Sequence, residues 1–229
     1  MLQTVLYEMG RLFTFAYSHI LLKTDIYWHE PLPEGPKLFV ANHPTASDAF
    51  LIHLLAPMHL MVAETAFAMP VFGAYLRGIE QICVSRANGK KALLQAVQRI
   101  KDGRSVGLFP EGWINLTVKN ERGAYTGAAR IALQTEVPVI PVGIHLDSKR
   151  ARHIASNLTG VRTGAHWYLR GPYGMVVGHP MRFMGNANDR DYVQHVTNSI
   201  MDRIAILERE SEERLRARGW LKSPVQATS

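Results

Sequence analysis

The succession that most restricts the fold is a short apolar run, a polar turn and a helical pattern. It is met first where Lys37-Leu38-Phe39-Val40 runs through Ala41-Asn42-His43-Pro44-Thr45-Ala46-Ser47-Asp48 into the apolar segment Ala49 to Ala56. A continuous apolar run of this length reads as a strand buried on both faces. Pro44 disfavours helical backbone at His43 and holds it extended, and Ser47 or Asp48 is a suitable N-cap for the segment that follows. The succession then recurs. His59-Leu60-Met61-Val62-Ala63 reads as a strand, Pro70 suits the first turn of a short helix through Leu76, and Ile79 to Val84 makes a further strand ending at Ser85-Arg86. Asn88 is placed to cap a helix to Lys101, stopped by Asp102-Gly103. Ser105 to Phe109 is a strand running into Pro110-Glu111-Gly112, Gly127 to Thr135 is helical, and Val137 to Ile144 is one more strand.

Strands alternating with helices predict an α/β fold with a mixed, largely parallel central sheet flanked by helices. In such folds function gathers in the loops beyond the carboxyl ends of strands, where both His43 and Glu111 fall. Short strands are also expected at Asp25 to His29, Trp167 to Leu169 and Met175 to Val177. Asp189 to Arg218 is a long helix with Val193, Val196, Ile200, Ile204 and Leu207 on one face. Residues 2 to 22 form an N-terminal helix. A 100° projection puts Leu2, Val5, Leu6, Met9, Leu12, Phe13, Ala16, Tyr17 and Ile20 on one side, with Gln3, Thr4, Glu8, Arg11, Thr14 and Ser18 on the other. It is too interrupted by Glu8, Arg11 and His19 to span a membrane, and it lacks the basic start and cleavage site of a signal peptide. The apolar stripe fits either a core-packed helix or one lying in a membrane interface. The expected organisation is an amphipathic helix over 1–24, a single domain over 25–218 and a flexible tail over 219–229.

Composition narrows the partners. A chain of 229 residues can bury one large core, and the lone Cys83 excludes a disulfide framework and a cysteine metal cluster, which points to a reducing compartment. The net charge of +7 attracts anions, whether nucleic acid, anionic lipid or an acidic carrier. No recognition-helix signature, zinc-finger spacing or ribonucleoprotein motif supports nucleic acid, so none is expected as a partner. The ten histidines show no zinc spacing, and no metal is expected.

His43 and Asp48 stand five residues apart across a strand-to-helix turn that can fold the carboxylate back onto one imidazole nitrogen. The other nitrogen would then be an outward-facing base for a hydroxyl. The spacing alone is a weak signal, and Asp48 as a simple cap with His43 at a strand end is the plain alternative.

The order of four motifs adds what one pair cannot. Between about Leu38 and Gly143 the chain carries NHPTASD with His43 and Asp48, then GIEQICVSR from Gly78 to Arg86, then Phe109-Pro110-Glu111-Gly112, then VPVIPVGI around Pro141. In this the sequence resembles the glycerolipid acyltransferases of the 1-acylglycerol-3-phosphate acyltransferase superfamily. Gly127-Ala128-Ala129-Arg130 also looks like the helix start usual between the last two motifs.

The resemblance implies an α/β acyltransferase that moves a fatty acyl group from acyl-CoA or acyl-acyl carrier protein to the hydroxyl of a lysophospholipid, 1-acylglycerol-3-phosphate first among them, without a bound cofactor. It implies His43 as general base and Asp48 as its orienting partner, with direct transfer and no acyl-enzyme. It gives Arg86, Glu111 and Gly112 to the acceptor site, with backbone N–H groups near Gly112 as anion contacts. Phe109, Pro110 and Pro141 would shape the pocket. It also favours the interfacial reading of the first helix, on an anionic membrane surface at the cytoplasmic face. One departure stands out: lysophosphatidate-using members commonly carry threonine, arginine and serine after the third motif, where this chain has Trp113, Ile114 and Asn115. Either Lys119 or Arg122 substitutes, or the acceptor is another lysolipid such as lyso-ornithine lipid. Thioester hydrolysis and non-catalytic lipid binding on the same fold are the alternatives from other classes; no Gly-x-Ser-x-Gly turn is present for a serine esterase.

Overall fold

The computed structural model describes residues 2–116, 123–157 and 163–221; Lys119, Arg122 and most of the expected tail lie outside these. Helix α1 (Leu2–Ile20) leads into strand β1 (Leu22–Trp28), and β2 (Leu38–Ala41) is followed by the short helix α2 (Asp48–Leu51) and a 3₁₀ turn (Ile52–Leu54). Then come β3 (His59–Ala63), α3 (Glu64–Phe67), α4 (Pro70–Gly78), β4 (Ile82–Val84), α5 (Gly89–Lys101), β5 (Val106–Leu108) and α6 (Gly127–Thr135). Strand β6 (Val139–Leu146), the hairpin β7 (Ala151–Ser156) and β8 (Thr163–Tyr168), β9 (Gly171–Val177) and α7 (Arg190–Ala217) complete the order.

Seven strands form one sheet, β1-β9-β6-β2-β5-β3-β4. From β6 across to β4 every pairing is parallel; β9 runs antiparallel to β6, and β1 joins β9 in parallel. The mixed, largely parallel sheet expected from the strand–helix alternation is therefore present. Its central strand β2 is wholly buried because both faces are covered. Leu38 and Val40 pack with residues of α5, α6 and α7, while Phe39 and Ala41 pack with α2 and the inward side chains of β9. Burial on two faces is why the strand reads as a continuous apolar run and not as an alternation.

Helix α7 lies close against β6 and β9. A Cβ on Gly143 would stand 2.1 Å from the Glu208 backbone nitrogen, and one on Gly174 2.3 Å from Ser211 Oγ, so both strands expose bare backbone where the helix crosses them. This seats α7 across the carboxyl end of β6, next to the end of β2.

Helix α1 packs the opposite way round from an ordinary surface helix. Thr14 and Ser18 are its buried residues, with Tyr7, Gly10 and Tyr17 partly buried beside them, whereas Met9, Leu12, Phe13 and Ile20 are 62–78% exposed. The polar hydroxyls can turn inward because the helix satisfies them itself: Thr14 Oγ1 donates to Gly10 O at 2.9 Å and Ser18 Oγ to Phe15 O at 2.8 Å. Tyr7 accepts from Met58 N at 3.1 Å, and Tyr17 donates to the Tyr168 carbonyl. Leu6, like Tyr17, departs from the exposed members of the expected apolar stripe and turns towards Gly78 of α4.

Three local expectations are corrected. The segment after Asp48 is one helical turn and a 3₁₀ turn, because the Ser47 hydroxyl bonds the backbone of Tyr168 and caps nothing. Asn88 is not a side-chain cap either: its Oδ1 accepts from Ser85 N at 2.7 Å and its Nδ2 donates to Cys83 O, closing the loop after β4. The strand expected from Ile79 starts only at Ile82, since Ile79 still caps α4 and Glu80 turns the chain with φ +55°. Strand β7 and helix α3 carry no period strong enough to have been read from the sequence.

Candidate active site

Because β2, β5, β3 and β4 run in parallel, their carboxyl ends bring His43, Glu111 and Arg86 to one edge of the sheet. At the end of β2 the turn is pinned from both sides. Asn42 bonds the backbone of Ile144 with both ends of its amide, accepting from N at 2.7 Å and donating to O at 2.8 Å. Ala46 N donates to the His166 carbonyl at 2.8 Å, and Ser47 Oγ accepts from Tyr168 N at 3.0 Å. These ties hold the residues between His43 and Asp48 against the β7–β8 hairpin.

Within that turn the imidazole and the carboxylate meet. His43 Nδ1 lies 3.1 Å from Asp48 Oδ2, and Asp48 is completely buried. The same oxygen accepts from Thr45 N at 2.6 Å, while Oδ1 accepts from Thr45 Oγ1 and from the Tyr173 hydroxyl, each at 2.9 Å. A carboxylate has about four acceptor directions, and Asp48 has a donor for each. Since a carboxylate only accepts, the shared proton sits on His43 Nδ1, which leaves Nε2 as the unprotonated acceptor. The ring is clamped by Phe109, stacked on it with centroids 4.0 Å apart and planes 13° from parallel.

The Pro110-Glu111-Gly112 turn braces His43 from the other side. Glu111 is 4% exposed; its Oε1 accepts from His43 N at 3.3 Å and its Oε2 from Asn115 Nδ2 at 3.0 Å. Burial pushes the Glu111 carboxyl up, with the Asn115 and His43 hydrogen bonds opposing. Asn115 also donates its backbone N–H to the His43 carbonyl at 2.8 Å. The residue that departs from the expected serine is therefore a cross-brace of the site. Gly112 has φ +71°, and a Cβ there would meet the Tyr125 ring at 2.5 Å, so the turn requires glycine on both counts. Its N–H donates to Phe109 O at 3.0 Å within the turn.

Arg86 is exposed, at the far side of the same edge, and makes no ion pair among the described residues. Three strand steps separate β4 from β2, about 14 Å at the usual strand spacing. Pro141 is buried inside β6 opposite Val40 and is not brought to the dyad. Pro110 is buried in the turn, and its carbonyl accepts from Tyr125 N at 2.8 Å. Thr45, Tyr173, Asn115 and Asn42 belong to the site but went unread as site residues. Thr45 lies between the two motif residues, and Asn42 directly precedes His43; Tyr173 has no local signal, because its partner is 125 positions away.

A cavity of about 1230 Å³ opens beside the dyad, walled by Asn42, Pro44, Glu111 and Asn115 at one end and by the ends of β6 and α7 at the other. A second, of about 770 Å³, lies on the β4 side and contains no motif residue besides Glu80, Gln81, Ile82 and Cys83 of the loose second motif. Among the described residues, His145, Glu208 and Glu212 could hold a cation, with ligand atoms within 4.8 Å of one another. As they stand they are paired: His145 Nδ1 lies 2.6 Å from Glu208 Oε1, and Glu212 binds the Arg216 guanidinium, which makes the group a tie between β6 and α7.

The chain resembles known proteins along most of this architecture. It is 33% identical over 116 residues to a 1-acyl-sn-glycerol-3-phosphate acyltransferase of Chlamydomonas reinhardtii, covering 49% of this chain and 35% of that one. It is 27% identical over 159 residues to the lyso-ornithine lipid O-acyltransferase of Pseudomonas aeruginosa, covering 61% of this chain and 60% of that protein. The chain thus spans about a third and three fifths of these relatives' lengths. The crystal structure of the 1-acyl-sn-glycerophosphate acyltransferase PlsC from Thermotoga maritima shares the fold, with a TM-score of 0.58 at 21% identity over 96% of this chain and 81% of that one. The family model described as Acyltransferase matches residues 23–145, a stretch that runs from β1 through the His43–Asp48 turn and the Glu111 brace into β6. With more than half of its length so matched, the protein belongs to the acyltransferase family.

Proposed function

We propose that the protein is an O-acyltransferase that moves a fatty acyl group from an acyl thioester, acyl-CoA or acyl-acyl carrier protein, to the hydroxyl of a lysophospholipid. The observation that carries this reading is His43 held by a fully hydrogen-bonded Asp48 at Nδ1, which leaves Nε2 as a base, beside a cavity lined by its neighbours Asn42, Pro44 and Glu111. In the reaction the acceptor hydroxyl gives its proton to Nε2 as its oxygen attacks the thioester carbonyl. A C–O bond forms, the C–S bond breaks, and the imidazolium returns the proton to the departing thiolate. Asp48 stabilises the imidazolium meanwhile, and no protein group is acylated.

The relatives' names put 1-acylglycerol-3-phosphate and lyso-ornithine lipid forward as acceptors. Arg86 is the candidate contact for an acceptor phosphate. It is exposed on the His43 edge, makes no ion pair among the described residues, and follows a strand about 14 Å from that of His43.

The protein works at a membrane surface. No helix among the described residues is long and apolar enough to cross one. Helix α1 instead turns Met9, Leu12, Phe13 and Ile20 outward on a chain of net charge +7, which suits docking on an anionic leaflet. A thioester donor and a lone cysteine fit the cytoplasmic face. On this reading residues 1–24 form the interfacial helix, 25–218 the acyltransferase domain and 219–229 a tail.

The test is to incubate the protein with radiolabelled acyl-CoA or acyl carrier protein and a panel of lysolipids on anionic vesicles. Label entering a diacyl product is expected. Release of free fatty acid with no acylated lipid would make the protein a thioesterase, and no turnover at all would make it a binding protein.

A further inference from the structure

Tyr173 lies on β9, outside the family match over 23–145 and outside all four motifs. It is fully buried, on the face of the sheet that also receives α2, and its hydroxyl donates to Asp48 Oδ1 at 2.9 Å. Two other tyrosines surround the turn, and neither can replace it. Tyr168 donates to Pro172 O at 2.7 Å, and Tyr17 donates to the Tyr168 carbonyl. A buried phenol is tolerated only with a partner, and packing alone would be served by phenylalanine.

We propose that Tyr173 is a positioning residue of the dyad: with Thr45 it fills the acceptor directions of Asp48 that His43 does not use, and thereby sets how strongly Asp48 draws a proton to His43. The inference rests on the reading of His43 as base. Each donor spreads the charge of the carboxylate. Three donors besides the imidazole keep Asp48 ionised and its ring-facing oxygen in place, yet weaken its pull on an imidazolium. Without them the dyad would take up a proton at higher pH, and less free base would remain at neutrality. The other titratable groups about the pair are Glu111 from the loop after β5, Tyr17 from α1 and Tyr168 from β8. Burial raises both tyrosines, so they stay protonated across the working range. Desolvation raises Tyr173 too, so it remains a donor there. Burial raises the Glu111 carboxyl, with its hydrogen bonds to Asn115 and the His43 backbone opposing.

The experiment compares wild type with Tyr173→Phe, which keeps the ring and removes the donor. The titration midpoint of the His43 ring is followed by NMR, its signals identified by their loss in His43→Ala, alongside kcat and KM as functions of pH. The midpoint and the acid limb of kcat/KM should both move up by about half a unit to one unit, so that kcat/KM on that limb is about 3- to 10-fold lower, with the acceptor KM within twofold. Thr45→Val removes the other side-chain donor to the same oxygen and should shift the midpoint in the same direction, which keeps the test intact if Tyr173→Phe does not fold. A midpoint unmoved in the folded variants, or a loss of activity with superimposable pH profiles, would overturn the role of Tyr173. A wild type inactive on every acceptor would overturn the functional reading instead, while the NMR midpoint still decides the effect of Tyr173 on the dyad.

Discussion

Asp48 and Glu111 are both buried carboxylates next to His43, and their hydrogen bonds assign them different work. Asp48 has a donor for each acceptor direction, whereas Glu111 has two donors, one of them the His43 backbone N–H at the long distance of 3.3 Å. Burial therefore dominates at Glu111 and raises its carboxyl. A raised value means that the folded state holds the proton to higher pH than the unfolded chain does. Between the two values the folded protein binds more protons, so stability falls as pH rises through that window. Replacing Glu111 with Gln removes the titration. Urea unfolding from pH 4 to 8 should show wild type losing stability relative to Glu111→Gln as pH rises, with the difference level above the window. A constant difference across the range would show that Glu111 is not strained by burial. The variant should also lose activity, because a glutamine amide cannot accept from His43 N and Asn115 Nδ2 at once.

Among the elements, β3 and α6 have the bounds expected from sequence, because each is one uninterrupted pattern ended by a turn. The first helix was legible as amphipathic, but not which face turns inward. Hydrophobic period cannot show that Thr14 and Ser18 bond their own helix carbonyls and so pack inward without cost, while Leu12 and Phe13 face out. The His43–Asp48 pair was legible because both members lie in one turn. Tyr173 was not, since it reaches Asp48 only once β9 has paired with β6 and β1. Burying a large apolar side chain is worth about 1.5 to 3 kcal/mol, so Leu12, Phe13 and Ile20 together can supply most of an interfacial anchor. Changing all three to serine should lower partitioning onto anionic vesicles by about 10³-fold or more, measured by co-sedimentation at low salt, while the melting temperature stays within about 2 °C. A triple variant that binds as wild type would contradict the interfacial role. One that unfolds would assign these side chains to the core.

At the scale of the whole molecule, α1 covers a half-buried histidine whose Nε2 is shut off from solvent. His53 lies beneath it, edge-on to Tyr7, with Nδ1 donating to Ala49 O at 3.0 Å and Nε2 without a partner. Desolvation pushes His53 down to about 4. The unfolded chain takes up that proton near 6.5, so it binds more protons than the fold between 6.5 and 4, and stability falls as the pH is lowered through this window. The loss approaches about 3 kcal/mol at its lower end. His53→Leu should remove this share, seen as a smaller drop in urea-unfolding free energy between pH 7 and 4.5. An equal drop in both proteins would mean that another group drives the acid response.

The central claim is that His43 removes the acceptor proton and that the acyl group never rests on the protein. It is tested most directly by the rate of lysolipid acylation by His43→Ala, on a protein shown by circular dichroism and melting temperature to be folded. Turnover is expected to fall about 10²- to 10⁴-fold with the acceptor KM little changed, and mass spectrometry of wild type quenched during turnover should show no acylated chain. A folded His43→Ala protein that acylates lysolipid at the wild-type rate, or a wild-type chain trapped with a covalent acyl group, would contradict the mechanism.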